Sequence, residues 1–276
     1  MIARVGRLVR AEFLKLLSNP FLYIALGVLA LAPLASILLQ TFLFGRKETV
    51  WRSYHAIQLF SYGFRWGLHA ATLVQLVFSS MMFAGEFDRG TIRNLLTRPV
   101  TRTDVFLAKV ASAAALGTFL FVFVLYASLV HALGIGELGP VWDSDHYLIQ
   151  REYRAITAFA RKAVLMSFLP YLTAGFLGIL VSNWTESSGY AVAIALVLYL
   201  LGDMVAGWLP PAAQQNFFSF YGPYVLDKLR SYAEGGAEFW DKRIDEGLLY
   251  LRVPLLTLAA FLPPAYLLFR TRNIHG

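Results

Sequence analysis

Long apolar runs, separated by polar stretches that carry most of the charges, set the pattern of this chain. A helix that crosses a bilayer needs roughly 20 apolar residues, and counting runs of that length predicts six membrane spans. These spans are residues 21–44, 66–84, 106–133, 163–182, 189–209 and 253–269. Pro263 and Pro264 should disrupt the last span, because proline lacks the backbone N–H and clashes with the preceding turn. Pro33 and Pro170 should act in the same way, more mildly. The pattern predicts an all-α membrane protein, with residues 1–276 as one transmembrane domain.

A basic, amphipathic stretch precedes the first span. Its apolar residues form one helical stripe, and its basic residues lie away from that stripe. The stripe is Val5, Leu8, Val9, Phe13 and Leu16. We expect a helix over residues 4–18 that lies on the inner face of the membrane. Glu12 falls within the stripe, where a carboxylate is costly unless a cation pairs with it. A signal peptide is the competing interpretation, but the run 21–44 is longer than a signal core of roughly 7–15 residues, so we interpret it as a retained span.

The segment 84–109, which runs from the end of the second span into the start of the third, holds a dense group of charges. Its apolar residues recur at helical spacing, and Thr91 is placed to cap a short helix there. The residues of this apolar face are Ile92, Leu95 and Leu96. The helix should end before Pro99, because the residue preceding a proline is pushed out of the α region. We therefore predict a short amphipathic helix over 91–97 that offers its apolar face to a cytoplasmic partner.

The third span has a start signal of its own. Thr101 followed by Asp104 is the pattern of a capping box, in which each side chain satisfies the other residue's backbone N–H. We expect the helix of the third span to begin there.

An even number of spans places both ends of the chain on one side of the membrane. Basic residues flank the apolar region at both ends, and the positive-inside rule assigns that side to the cytoplasm. Segment 85–105 and the turn 183–188 would then face inward. The loops 45–65, 134–162 and 210–252 would lie outside, although the first is also basic. The last is rich in aromatic residues and proline, which suits either a partly re-entrant hairpin or an ordinary interfacial aromatic belt.

Composition narrows the function. Charged residues make up 15% of the chain and hydrophobic residues 58%, whereas an average soluble domain is roughly 25% charged. Cysteine is absent, which excludes disulfides, thiol catalysis and cysteine-bound metals. The net charge of +7 comes from basic residues that flank apolar runs, which indicates membrane anchoring and not nucleic-acid binding.

The common catalytic motifs do not occur in the sequence. It contains no G-x-x-x-x-G-K-[ST], no H-E-x-x-H and no G-x-S-x-G, so we expect no nucleotide site, no enzyme activity and no cofactor in this chain. His69 and His131 could share a haem or a metal near the outer helix ends. Their positions are also explained without a ligand, as polar side chains at the membrane interface. Asp203 is the one acid within a span, which by default suggests function. Its place near Trp208, at the outer end, suggests instead that it reaches water or an arginine.

Three stretches together resemble the membrane-spanning permease of an ABC-2 type ABC transporter. The sequence R-A-E-F places Glu12 at the acid of the family's connecting, or elbow, helix. The segment after the second span fits the family's pattern E-x-x-x-G-T…L-L…P-x-x-R…K, and the tail L-L-F-R-T-R-N-I is similar to the ending F-x-R-[RK]-[DN]-I. The matching residues of the middle segment are Glu86, Gly90, Thr91, Leu95, Leu96, Pro99, Arg102 and Lys109. The long loop 134–162 is larger than in minimal members of the family.

The resemblance implies a dimer of six-span permeases with two cytoplasmic ATPase subunits, which hold ATP and Mg²⁺. Helix 91–97 would be the coupling helix that docks on the ATPase, with Glu86, Arg89 and Arg93 anchoring it by charge. Permeases for bacitracin-like peptides, for sodium extrusion and for maturation of nitrous oxide reductase are similar, and the sequence does not choose among them. The expected location is the cytoplasmic membrane of a bacterium or archaeon.

Three other functions stay open on the sequence. A mechanotransmitting complex would use ATP to drive a periplasmic partner, for which the loops 134–162 and 210–252 leave room. A membrane anchor for redox cofactors would be coloured when purified. A secondary transporter would need acids near the membrane midplane, and the one acid within a span, Asp203, lies off-centre.

Overall fold

The computed structural model describes residues 2–44, 56–92, 100–138, 141–142, 149–208 and 244–272. These residues form seven α-helices and one short antiparallel pair of strands. In chain order they are α1 (Ile2–Leu17), α2 (Pro20–Phe44), α3 (Ala56–Asp88), α4 (Arg102–Ile135), β1 (Val141–Trp142), β2 (Ile149–Arg151), α5 (Tyr153–Trp184), α6 (Ser188–Trp208) and α7 (Ile244–Thr271). The predicted helix 91–97 beyond residue 92, and segment 210–252 before residue 244, lie outside the described residues.

Helices long and apolar enough to cross a membrane dominate the fold. Five of them meet this criterion, namely α2, α3, α4, α5 and α7. The prediction of an α-helical membrane protein is therefore confirmed, with the two short strands as an addition. Helix α6 lies at the predicted fifth span, but its apolar part, Ser188–Gly202, is shorter than the other five. The count of six spans stays a prediction.

The start of α3 differs from the prediction, which placed residues 45–65 in an outer loop. The helix already begins at Ala56, and its first turns are buried, Phe64 completely. It lies close to α2, since a Cβ atom on Gly67 would be 3.0 Å from Cγ of Pro33. Hydropathy detects helices that face lipid. This part of α3 faces other helices and keeps several polar residues, so its apolar signal is weak.

Helices α5 and α7 are also longer than the predicted spans 163–182 and 253–269. Helix α5 begins at Tyr153, and α7 extends beyond its predicted span at both ends. Helix α7 continues through Pro263 and Pro264, so the expected disruption does not end it. A proline removes one backbone hydrogen bond, and the turns on either side still hold the helix.

Helix α3 is the centre of the bundle. It packs against α2, α4, α5 and α6, and α5 packs in turn against α4, α6 and α7. Gly178 of α5 lies so close to α3 that a Cβ atom there would be 2.9 Å from the backbone nitrogen of Ser80. Gly175, one turn earlier, lies against the side chain of Gln75. The glycines of α5 thus serve close helix packing.

Gln75 occupies the most closely packed part of this interface. Its side chain fills the space between Gly117 of α4 and Gly175 of α5, where any larger residue would collide with it. It is fully buried, and neither its amide nitrogen nor its amide oxygen has a hydrogen-bond partner within the described part of the chain. Three helices therefore meet around a polar side chain, and glycine is what makes room for it.

Helix α1 packs along α4. The side of α1 that carries the apolar stripe is half-buried, and Leu16 reaches the hydrophobic core. Glu12 on the same side contacts Lys109 of α4. The stripe is therefore turned towards the helical bundle and is not available as the membrane-facing surface that the amphipathic pattern predicted.

Candidate functional site: a buried ionic cluster at one end of the bundle

Four charged side chains from three helices meet where α3 ends and α4 begins. Lys109 of α4 lies at their centre, with its Nζ atom 2.9 Å from Oε1 of Glu86 on α3 and 3.2 Å from Oε1 of Glu12 on α1. Lys15, also on α1, places its Nζ atom 2.8 Å from the same oxygen of Glu86. We call these four residues the ionic cluster. It ties α1 to both long helices.

The ionic cluster is largely removed from solvent. The side chain of Lys109 is 1% exposed and that of Glu86 is 8% exposed, while Lys15 keeps 54% of its side chain accessible. Lys109 also donates a hydrogen bond of 2.8 Å to the carbonyl oxygen of Met82, and its Nζ atom lies 5.2 Å from the centre of the Phe83 ring. Each proton of this ammonium group has an acceptor. The charges of the two carboxylates balance those of the two ammonium groups. Burial of these charges is therefore tolerated only while all four groups are present.

A second group of contacts joins the end of α7 to the same end of the bundle. Arg102, at the first position of α4, donates hydrogen bonds of 2.8 Å and 2.9 Å to the carbonyl oxygens of Arg270 and Arg272. The last carbonyls of a helix have no partners within the helix and carry a partial negative charge, which a guanidinium group satisfies. Arg102 thereby caps α7.

Arg272 extends these contacts to the turn between α5 and α6. Its guanidinium group donates to the carbonyl oxygens of Asn183 at 2.9 Å and Thr185 at 3.2 Å, and it lies 3.1 Å from the carboxylate of Glu186. It also stacks over the ring of Phe87, at 4.0 Å from the ring centre. One side chain therefore links the end of α7, the turn 185–187 and the last turn of α3.

Asp88, the last residue of α3, makes the remaining link. Its Oδ2 atom accepts hydrogen bonds from the hydroxyl of Ser188 at 2.7 Å and from the backbone nitrogen of Ser188 at 3.3 Å. A carboxylate at the first residue of α6 is favourable, because the start of a helix carries a partial positive charge. The end of α3 is thus held by α1, α4, α6 and α7 together. We call this end of the bundle, with the ionic cluster and the contacts of Arg102, Arg272 and Asp88, the charged end.

The structure places several of the predicted site residues at the charged end. Glu86 belongs to the ionic cluster, and the cation that Glu12 requires is Lys109. Arg89 is exposed just after α3. Gly90 adopts a left-handed backbone conformation with φ of +65°, which favours glycine and turns the chain away from the helix. Thr91 donates a hydrogen bond of 3.4 Å to the carbonyl oxygen of Glu86, so its hydroxyl points back to α3.

The other residues of the predicted coupling segment are not in the described part. Arg93, Leu95, Leu96 and Pro99 lie outside the described residues. Beyond them, Thr101 and Asp104 form the predicted capping box at the start of α4, with reciprocal hydrogen bonds of 3.1 Å.

The predicted site did not include Lys15, Lys109, Arg102 or Arg272, although Arg102 and Lys109 matched the family's pattern after the second span. Lys109 offered a usable signal, because it lies inside the predicted span 106–133, where a basic side chain needs a partner. Lys15 and Arg272 offered no such signal, since basic residues beside a span are expected from the positive-inside pattern alone.

The weaker candidates stay apart from this site. His69 lies beside Trp66, with ring centres 5.8 Å apart. The backbone of Asp203 lies in α6, and its side chain is not among those that the structure describes. Among the described residues, no three or more histidine, aspartate or glutamate side chains are grouped in a way that could hold a metal ion.

Long apolar helices around a central helix, with buried ion pairs gathered at one end, define the chain as a polytopic α-helical membrane protein. A sequence model described as ABC-2 family transporter protein matches residues 8–202, which include the later part of α1 and all four residues of the ionic cluster. The match covers most of the chain, and the chain belongs to the ABC-2 transporter family. A search of curated proteins finds no match.

Proposed function

We propose that this chain is the permease subunit of an ATP-driven exporter, and that the charged end receives the movement of a separate ATPase. The observation that carries this proposal is the ionic cluster. It joins α1, α3 and α4 near the connection between α3 and α4, with Glu86 in the last turn of α3 and Lys109 about two turns into α4. A displacement of that connection cannot move α3 alone, because Glu86 is held by charges on two other helices.

The connection itself is short and is held at both ends. Helix α3 ends at Asp88, and the capping box of Thr101 and Asp104 begins α4. The segment between them carries the apolar residues Leu95 and Leu96, which we propose as the docking face for the ATPase. Arg272 and Asp88 give a second route, because they connect the end of α3 to α6 and α7. A displacement of this segment would therefore be transmitted to most of the membrane helices together.

The complex that we propose contains two ATPase subunits and a second copy of this chain. ATP and Mg²⁺ would bind to the ATPase subunits alone, and no nucleic acid takes part. The charged end would face the cytoplasm in a bacterial or archaeal membrane, which places Lys15 and Arg272, near the two ends of the described chain, on that side. A periplasmic accessory protein is a further possible partner, to be sought on the opposite face.

The purified chain alone is expected to hydrolyse no ATP, and hydrolysis should begin when a copurifying ATPase subunit is added. The reason is that the sequence contains no phosphate-binding glycine loop. The measurement is phosphate release at saturating Mg-ATP by the chain reconstituted in vesicles. Sustained turnover by this polypeptide, after removal of contaminating ATPases, would show that the assignment is wrong.

The substitution Leu95→Asp is expected to weaken association with the ATPase subunit about 10-fold or more. Burying a leucine contributes roughly 1.5–3 kcal/mol, whereas an exposed ion pair contributes about 0–1 kcal/mol. The matched variant Arg93→Ala should therefore have a smaller effect. Affinity capture of the ATPase at equal permease expression measures both. Retention by Leu95→Asp together with loss by Arg93→Ala would mean that charge, and not an apolar face, holds the partner.

A further inference from the structure

The side of α1 that faces away from the bundle carries a row of exposed residues. They recur at three- and four-residue spacing and therefore share one helical face. The row is Arg7, Arg10, Leu14 and Leu17. Both arginines are exposed, and the two leucines remain 56% and 39% exposed. We call these four residues the outer row of α1. It changes from basic to apolar in the direction of α2.

The outer row leads directly into the exposed face of the first spanning helix. Phe21, at the start of α2, is 71% exposed, and Ile24 and Val28 are 63% and 55% exposed. Helix α2 is an apolar candidate span, so this face is suited to lipid. The hydroxyl of Tyr23 donates a hydrogen bond of 2.8 Å to the carbonyl oxygen of Leu17, which holds the end of α1 against α2. The leucines of the outer row are thereby placed where α2 enters the bilayer.

We propose that the outer row of α1 binds anionic phospholipids of the adjoining leaflet. Arg10 lies about 10 Å along the helix from Leu17, at a rise of roughly 1.5 Å per residue. An interfacial helix buries its apolar side about 5–10 Å into the boundary between headgroups and acyl chains. With Leu14 and Leu17 at that boundary, the long side chains of Arg7 and Arg10 on the same face can extend to the lipid phosphates and bind them through paired N–H groups.

This surface differs from the one that the amphipathic pattern predicted. The apolar stripe with Glu12 and Leu16 is occupied by α4, so the outer row is what remains for an external partner. A soluble protein would have to cover leucines that continue into the lipid-facing side of α2. A bilayer covers them without a break, and it supplies negative charge for Arg7 and Arg10, for which the described residues provide no ion pair. The proposal rests on the membrane insertion of α2 and does not depend on the ATPase.

The test places a fluorophore beside the outer row and asks which lipid surrounds it. The chain contains no cysteine, so Leu17→Cys provides a single site for bimane labelling. The labelled full chain is reconstituted in mixed vesicles of phosphatidylglycerol and phosphatidylcholine, with one or the other lipid brominated in its acyl chains. Bimane at position 17 should be quenched more strongly by brominated phosphatidylglycerol. Leu31→Cys, on the exposed face of α2 and farther from the arginines, is the matched control and should show no preference.

Replacing both arginines in the labelled protein (Arg7→Gln with Arg10→Gln) should abolish the preference at position 17. Each basic residue near an anionic surface strengthens binding to that surface about fivefold. Removing both arginines should therefore lower the preference for phosphatidylglycerol by up to roughly 25-fold. Equal quenching by both lipids in the protein with both arginines would overturn the proposal, and so would a preference that survives the double substitution. Quenching by neither lipid would show that the row contacts protein or water, which also overturns it. None of these outcomes depends on ATP turnover or on capture of an ATPase.

Discussion

The substitution Lys109→Met is expected to destabilise the membrane domain by about 3–5 kcal/mol, the typical cost of removing one partner from a buried ion pair. Methionine is close to lysine in length and fills much of the same space, so packing changes little. The substitution removes the ammonium group that contacts the carboxylates of both Glu12 and Glu86, in a site that is nearly closed to water. Lys15 still reaches Glu86, but it is not paired with Glu12 in the ionic cluster.

A double-mutant cycle isolates this charge effect. In a background where both acids are neutral (Glu12→Gln with Glu86→Gln), the further change Lys109→Met should cost much less, because no uncompensated carboxylate remains. Lys162→Met is the control for loss of a lysine, since Lys162 is exposed on α5 and should change stability by no more than about 0.5 kcal/mol. Stability is measured as the unfolding free energy in mixed detergent micelles. An equal loss in both backgrounds would mean that packing, and not charge, makes Lys109 important.

The second large effect is expected from Gly178→Leu, which should destabilise the bundle by about 3 kcal/mol or more. Overpacking a close interface costs about 1–3 kcal/mol even for small additions, and here the added atoms meet backbone. A Cβ atom on Gly178 would be 2.9 Å from the nitrogen of Ser80 and 3.0 Å from the carbonyl oxygen of Leu76. Neither backbone atom can move unless α3 and α5 separate.

Gly27→Leu is the matched control for this substitution. Gly27 lies in the interior of α2, two turns from its start, is exposed, and has no atom of another element within 4 Å of the position of a Cβ atom. Leucine is a better helix former than glycine, so this variant should be as stable as the parent or slightly more stable. Thermal unfolding in detergent, followed by size-exclusion recovery, compares the two. Equal midpoints for both variants would show that α3 and α5 are not in close contact at Gly178.

Features of the fold that depend on neighbouring residues alone could be predicted from the sequence. The apolar runs marked the membrane helices, and Thr101 with Asp104 marked the start of α4 through a capping box that involves four consecutive residues. Helix starts were less reliable. The first turns of α3 are buried between other helices, where polar residues are tolerated. Hydropathy therefore did not mark the start of this helix at Ala56. A hydropathy pattern records contact with lipid better than contact with protein.

The sequence by itself determined that this is an α-helical membrane protein, that a charged segment lies between its second and third spans, and that Glu12 needs a cation. The choice of that cation required the tertiary structure, because Lys109 is 97 residues away and several other basic residues were equally available. The tertiary structure also decided which side of α1 faces the bundle. An amphipathic stripe shows that one side of a helix will be buried, but lipid and protein bury apolar side chains equally well. Only the buried pairing of Glu12 with α4 distinguishes the two.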